Sequence, residues 1–144
     1  MNGGNYCFSL ELAVRDYECD LQGVVNNAVY LNYLEHTRHE YLKTLGLDFA
    51  GLHQQGCDLV LTRCELDYRS PLRSGDRFVV RLRLERESRL RFAFLQDIYR
   101  LPDERLVLQA RAIGTGLIGG RPALPPEMQA LLEQGERPDP SLRR

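Results

Sequence analysis

The sequence predicts an α+β fold in which a five-stranded antiparallel sheet curls around one long central helix. Three observations predict it. Between Ala28 and Leu45, apolar or ring-bearing residues recur at three- and four-residue spacing, the period of a helix with one buried face. Five other segments alternate with period two, as strands do. The four consecutive strands that follow the helix have no crossover helices between them, which excludes a parallel doubly wound sheet.

The first strand is predicted where Phe8, Leu10, Leu12 and Val14 alternate with Ser9, Glu11, Ala13 and Arg15. An acidic loop centred on Asp20, a turn at Gly23 and the pair Asn26 and Asn27 lead into the helix, with Tyr30, Tyr33, Leu34, Thr37, Tyr41 and Leu45 as its buried stripe. Glu35, His36, His39, Glu40 and Lys43 fall largely off that stripe. Asn27 suits an N-cap and Gly46 a C′ residue, for a helix of about 27 Å at about 1.5 Å per residue. Its positive end then lies near Asp20. A short irregular or helical connector from Asp48 to Gly56 precedes a second strand, in which Val60, Thr62, Cys64, Leu66 and Tyr68 alternate with Leu61, Arg63, Glu65 and Asp67. Ser70, Pro71, Ser74, Gly75 and Asp76 break the pattern before the third strand, Phe78, Val80, Leu82 and Leu84. Leu90, Phe92, Phe94 and Ile98 mark the fourth, and residues 106–118 the fifth. Its inward positions Ala110, Ala112 and Gly114 are small enough to let it approach the helix closely, while the Arg-rich opposite parity faces solvent or another subunit. Glu127 to Gln134 reads as a short surface helix.

The chain has 144 residues, 43% hydrophobic and 27% charged, which describes one ordinary domain over residues 1–144, with about 1–5 and 135–144 expected to be flexible. A formal net charge of -1 argues against nucleic acid as a partner. The cations are nevertheless almost all arginine, which suits phosphate groups. Cys7, Cys19, Cys57 and Cys64 show no CxxC spacing and read as reduced thiols. His36, His39 and His53 form no HExxH motif, so no metal and no cofactor are expected. No basic region precedes an apolar run at the N-terminus and no apolar segment reaches spanning length, which leads to the expectation of a cytoplasmic protein without membrane insertion.

Asp20 precedes a glycine and a helix N-terminus. There a carboxylate can act as nucleophile or general base while backbone N–H groups stabilise an oxyanion, an arrangement suited to acyl transfer. From spacing alone, the commoner role of such an aspartate is to cap the helix or close an Asx-turn.

The segment DLQGVVNNAVYLNYLE, with Asp20, Gly23, Val24, Val25, Asn27, Ala28 and Tyr30, resembles the loop-helix signature of the hotdog-fold acyl-CoA thioesterases of the 4-hydroxybenzoyl-CoA thioesterase family. The likeness continues through Glu35 and Arg38 and through LDYRSPLRSGDRFVV. In VRDYE, GVVNNAVY and SPLRSGDRFVV it is most similar to the branch of plant plastid acyl-ACP thioesterases and their bacterial relatives. The resemblance implies a hotdog fold and a thioesterase that hydrolyses acyl-CoA or acyl-ACP to carboxylic acid and thiol. Asp20 would be its catalytic carboxylate, either attacking the carbonyl or activating water. It implies further that Gly23, Val25, Asn26, Asn27 and Ala28 supply oxyanion or positioning groups, and that paired subunits, as homodimer or homotetramer, build the site between them. Many relatives have histidine where this chain has Asn27, which removes an ionisable partner and leaves a side chain that can cap the helix or hydrogen-bond a water or thioester oxygen.

Tyr30, Tyr33 and Glu35 are substrate-pocket candidates, with core packing or a solvated helix face as the alternative roles. Arg69, Arg73 and Arg81 are candidates for the phosphates of coenzyme A or of a phosphopantetheine arm. A hotdog dehydratase acting on 3-hydroxyacyl thioesters, or a non-catalytic module that binds acyl thioesters, are the alternative functions. The first would call for a histidine where Asn27 stands, and the second has no need of a carboxylate at Asp20.

Overall fold

The computed structural model describes residues 6–47 and 49–136. Strand β1 (Phe8–Ala13) is followed by a short 3-10 turn at Asp16–Glu18 and by the long helix α1 (Asn27–Thr44). A short helix α2 (Phe49–Gln54) leads to β2 (Cys57–Tyr68), β3 (Arg77–Arg86), β4 (Arg91–Leu101), β5 (Arg105–Ile118), a two-residue β6 (Arg121–Pro122) and helix α3 (Pro126–Glu136). The sheet runs β1-β3-β4-β5-β2, antiparallel at every pairing, with β6 added against β5. This is the hotdog arrangement, an antiparallel sheet curled around α1. The five expected strands are present and β6 is an addition. The expected flexibility of residues 1–5 and 137–144 lies outside the described residues, whereas residues 135 and 136 end α3.

Helix α1 buries Tyr30, Tyr33, Leu34, Thr37 and Tyr41 as its stripe requires. Leu45 instead is 41% exposed, because it sits at the C-cap, and Leu42 takes the last core position. The N-cap is Asn26 rather than Asn27: the Asn26 side chain accepts the Ala28 N–H at 2.9 Å, and Asn27 is the first helical residue. At the other end Gly46 has φ +78°, and the Leu47 and Gly46 amides donate to Leu42 O and Lys43 O at 2.9 and 3.0 Å. That double bond pattern is a Schellman stop. Arg38 is also buried, its Nη1 donating to Gln96 Oε1 at 3.1 Å while Gln96 Nε2 donates to Leu34 O at 3.0 Å. Burial lowers the Arg38 pKa.

Two expectations need correction, the close approach at Gly114 and the surface helix after the sheet. Gly114 does not admit α1: a Cβ there would meet Val60 O at 2.6 Å and the Phe92 ring at 2.7 Å, so its bareness makes room for an aromatic ring and a neighbouring strand. Close backbone approach to α1 comes from β3 and β1. Strand β2 buries no face fully, since it is an edge with a bulge between Leu61 and Arg63. Helix α3 is no surface helix, because Met128 and Leu132 are buried with Leu42, Leu82, Phe92 and Phe94. A second cluster gathers Val25, Tyr30, Tyr33, Leu34, Leu72, Phe78, Val80, Ile98 and Leu108 around the N-terminal half of α1. On the outer sheet face three arginines are paired: Arg81 with Glu104 through two bonds of 2.9 Å, Arg77 with Glu11, and Arg111 with Glu87.

Candidate active site

The loop between β1 and α1 folds back on itself before the helix starts. Cys19 bridges Val25, the Asp20 amide donates to Val24 O at 2.9 Å and the Gly23 amide donates to Asp20 O at 3.0 Å. Gly23 turns with φ +80°, in the left-handed region that an L side chain disfavours. The Asp20 side chain is exposed, and its Oδ1 accepts the Gln22 N–H at 2.8 Å and the Val24 N–H at 3.4 Å. The Asx-turn expected of a structural aspartate is therefore present. It grips one carboxylate oxygen, Oδ1, on a side chain that is otherwise exposed. Tyr17 and Leu21 flank this carboxylate at 79% and 106% relative exposure, apolar groups in water within three residues of a charge.

The loop is tied to the rest of the fold at two places. Val24 bridges Arg73 and the Val25 amide donates to Leu72 O at 2.9 Å, so the β2–β3 connection backs the loop. The Asn26 amide donates to Glu18 O at 3.0 Å, which joins the 3-10 turn to the helix cap. These bonds decide which amides could meet an oxyanion. Those of Gly23, Val25, Asn26 and Ala28 are already engaged by Asp20 O, Leu72 O, Glu18 O and Asn26 Oδ1. Among the described residues, Asn27 is the one of the five with a backbone N–H that has no protein acceptor. It stands at the first turn of α1, where the helix dipole favours negative charge.

The remaining candidates separate. Tyr30 is 3% exposed and its hydroxyl accepts the Leu72 N–H at 3.2 Å, so it braces the β2–β3 connection from within the core. Burial raises its pKa. Tyr33 is equally buried and donates to Glu18 Oε1 at 2.7 Å. Burial first, and the Glu18 carboxylate second, push the Tyr33 phenol well above its ordinary range. Glu35 is exposed on α1, 3.9 Å from His39 Nε2. Burial lowers the His39 pKa, against the opposing pull of Glu35. Arg73 is exposed and its backbone adjoins the Asp20 loop, whereas Arg69 donates to Gln109 at 3.2 Å. Arg81 lies on the outer sheet face, bound to Glu104 and 4.8 Å from the Tyr99 ring centroid, and is not brought to the loop. Among the described residues no group of three or more His, Cys, Asp or Glu is arranged to hold a metal ion, and no helix is long and apolar enough to cross a membrane.

Sequence reasoning missed Glu18. Its side chain is buried, accepts the Arg15 N–H at 2.8 Å and the Tyr33 hydroxyl at 2.7 Å, and pairs with the Arg15 guanidinium at 3.3 Å. The three-residue spacing of Arg15 and Glu18 was a local signal, but nothing local pointed to Tyr33. A cleft of about 220 Å³ opens beside this pair, lined by Leu12, Ala13, Arg15, Glu18, Asn32, Tyr33 and His36.

A family model described as the thioesterase-like superfamily matches residues 14–132. The chloroplastic acyl-acyl carrier protein thioesterase ATL3 of Arabidopsis thaliana is 44% identical over 108 residues, covering 75% of this chain and 57% of that protein. Its counterpart ATL2 from the same plant is 42% identical over 108 residues with the same coverage, 75% and 57%. This chain therefore spans 57% of the length of these plant relatives. Among solved structures, a hypothetical protein of Aquifex aeolicus superposes with a TM-score of 0.80 at 29% identity, covering 87% of this chain and 98% of that one. A 1,4-dihydroxy-2-naphthoyl-CoA thioesterase from Synechocystis shares the fold with a TM-score of 0.83 at 22% identity, covering 91% and 98%.

Proposed function

The chain belongs to the thioesterase-like superfamily, and we propose on that premise that it hydrolyses acyl thioesters, with Asp20 as the reacting carboxylate. The observation that carries the proposal is the geometry of the loop: an exposed Asp20, held through Oδ1 by the Gln22 amide, beside a helix start at which the Asn27 N–H has no acceptor among the described residues. The carboxylate then acts in one of two ways. As a nucleophile, its free oxygen attacks the thioester carbon, expels the thiolate and forms a mixed anhydride that water opens. As a general base, it takes a proton from the water that attacks. In both, negative charge grows on the carbonyl oxygen, and the Asn27 N–H at the positive end of α1 is the group we assign to it.

The names of the two Arabidopsis relatives support an acyl-acyl carrier protein as substrate, and an acyl-CoA offers the same thioester and phosphopantetheine arm. Arg73 is the arginine we assign to that arm's phosphate, because its backbone pairs with Val24 of the loop. The minimum active unit we infer is a homodimer, with a homotetramer as the larger form. Strand β2 is a sheet edge with Leu61 43% and Tyr68 52% exposed, and Leu31 of α1 is 44% exposed, so a second copy pairing there would cover both an open ladder and apolar surface. A stable, fully active monomer in light scattering at micromolar concentration would refute that assembly.

The decisive experiment is Asp20→Asn assayed on matched octanoyl, lauroyl and palmitoyl thioesters of coenzyme A and acyl carrier protein. Asparagine keeps the Asx-turn acceptor and the shape but removes the charge and the basicity. We expect kcat to fall by roughly 10²-fold or more with folding intact. A near wild-type rate, with mass spectrometry excluding deamidation back to aspartate, would leave Asp20 as a loop fastener only. Trapping an acylated enzyme in single turnover would distinguish the nucleophile from the base.

A further inference from the structure

We propose that Glu18 is a positioning residue for Asp20: its buried carboxylate, clamped between the Tyr33 hydroxyl and the Arg15 amide, fixes the reacting loop against the first turns of α1. The proposal rests on the reading of Asp20 as the reacting carboxylate.

Glu18 is 9% exposed, and its Oε1 accepts both the Tyr33 hydroxyl at 2.7 Å and the Arg15 N–H at 2.8 Å, while Oε2 meets Arg15 Nη1 at 3.3 Å. Its main-chain carbonyl separately accepts the Asn26 N–H at 3.0 Å. One residue thus holds α1 at two levels, the cap through its backbone and Tyr33 through its side chain. Asp20 follows two residues later, and its own amide begins the fold-back of the loop by donating to Val24 O at 2.9 Å. A displacement at Glu18 therefore moves Asp20 relative to the Asn27 N–H, the two groups that must meet one carbonyl.

Burying a carboxylate is costly unless donors satisfy it. Simple attachment of the loop to α1 could be achieved by an aliphatic side chain packed on an aromatic ring. Apolar packing tolerates sliding, whereas three donors on one carboxylate fix its direction, and productive geometry requires placement to within about 0.5 Å. Tyr33 suits the donor role, since burial and the neighbouring carboxylate keep its phenol protonated. The cleft of about 220 Å³ beside Glu18 and Tyr33 matters here. It leaves the clamp room to loosen when one bond is lost, so that weakening it displaces the loop without collapsing the core.

The test is a set of double-mutant cycles on lauroyl-CoA or lauroyl-acyl carrier protein, whichever the wild type hydrolyses faster. Tyr33→Phe and Glu18→Gln are each made alone and together with Asp20→Asn. We expect each clamp variant alone to lower kcat roughly tenfold with KM changed by less than about twofold. In the Asp20→Asn background each should lower the residual rate by less than about twofold, because no reacting carboxylate is left to misplace. Equal losses in both backgrounds would make Glu18 a structural peg and overturn the proposal. So would unchanged kcat in both clamp variants while Asp20→Asn is inactive. Wild-type kcat in Asp20→Asn alone would instead overturn the parent reading, and this one with it. If Glu18→Gln does not fold, Tyr33→Phe, which deletes a single hydroxyl, decides the matter alone.

Discussion

The two ends of α1 are built from the same kinds of side chain and do opposite work. At the N-terminal end the tyrosines face polar partners: the Tyr30 hydroxyl accepts from Leu72 N and the Tyr33 hydroxyl donates to Glu18. At the C-terminal end Tyr41 has, among the described residues, only the Cys7 thiol as a polar side-chain partner and otherwise packs with Leu42, Phe92, Phe94, Met128 and Leu132. The termini differ in the same sense. The Gly46 stop satisfies the Leu42 and Lys43 carbonyls, whereas at the start Asn26 caps the Ala28 amide and the Asn27 N–H keeps no acceptor among the described residues. The contrast teaches where chemistry fits on one helix. A closed, apolar end contributes stability, and the end with an unfilled donor and a tethered loop can serve a substrate.

The largest effect should come from breaking the closed end. Leu132 is 1% exposed in the cluster that holds Tyr41 and Leu42, and Leu132→Ala should remove about 3 kcal/mol of stability by leaving a cavity. Because Leu132 belongs to a different core cluster from Cys19 and Val25 of the Asp20 loop, kcat per folded molecule should hold. Urea unfolding, with activity measured well below the midpoint, checks both halves, and a large loss of kcat in the folded protein would erase the division between the ends. At the open end Asn26→Ala deletes the cap and should cost about 1 kcal/mol. Here the rate should fall as well, since the lost side-chain cap adjoins the Asn27 donor, even though the backbone bond from residue 26 to Glu18 O survives the substitution. Equal activity of wild type and Asn26→Ala in the folded state would show that the helix start need not be held still. The smallest effect is expected for Arg73→Ala, which should raise KM roughly threefold with kcat unchanged. Arg81→Ala is its control, because Arg81 is committed to Glu104 on the outer face. Identical KM in all three proteins would remove Arg73 from carrier recognition.

The periodic parts of this molecule were legible in the chain itself. A stripe from Tyr30 to Tyr41 and the parity of β3 and β4 depend on neighbours two to four residues away, so they survive into the fold almost unchanged. Asp20 was legible too, through a turn glycine, a helix start and a resemblance covering several blocks in order. The sequence by itself therefore determined the helix, the strands, the hotdog fold and the carboxylate to suspect. It placed the N-cap one residue late because Asn26 and Asn27 have the same chemistry, and only the turn geometry tells them apart. It read α3 as a surface helix, and left open that β2 is an edge, because local pattern does not reveal which strand becomes an edge or which helix packs into the core.

Tertiary structure alone decided the rest. Glu18 meets Tyr33 across 15 residues and Arg38 meets Gln96 across 58, closures with no local period to announce them. It also decided that the amides of Gly23, Val25, Asn26 and Ala28 are engaged while that of Asn27 is not. The physical reason is that a backbone donor looks the same at every residue, and its availability depends on which carbonyl the folded chain brings within reach.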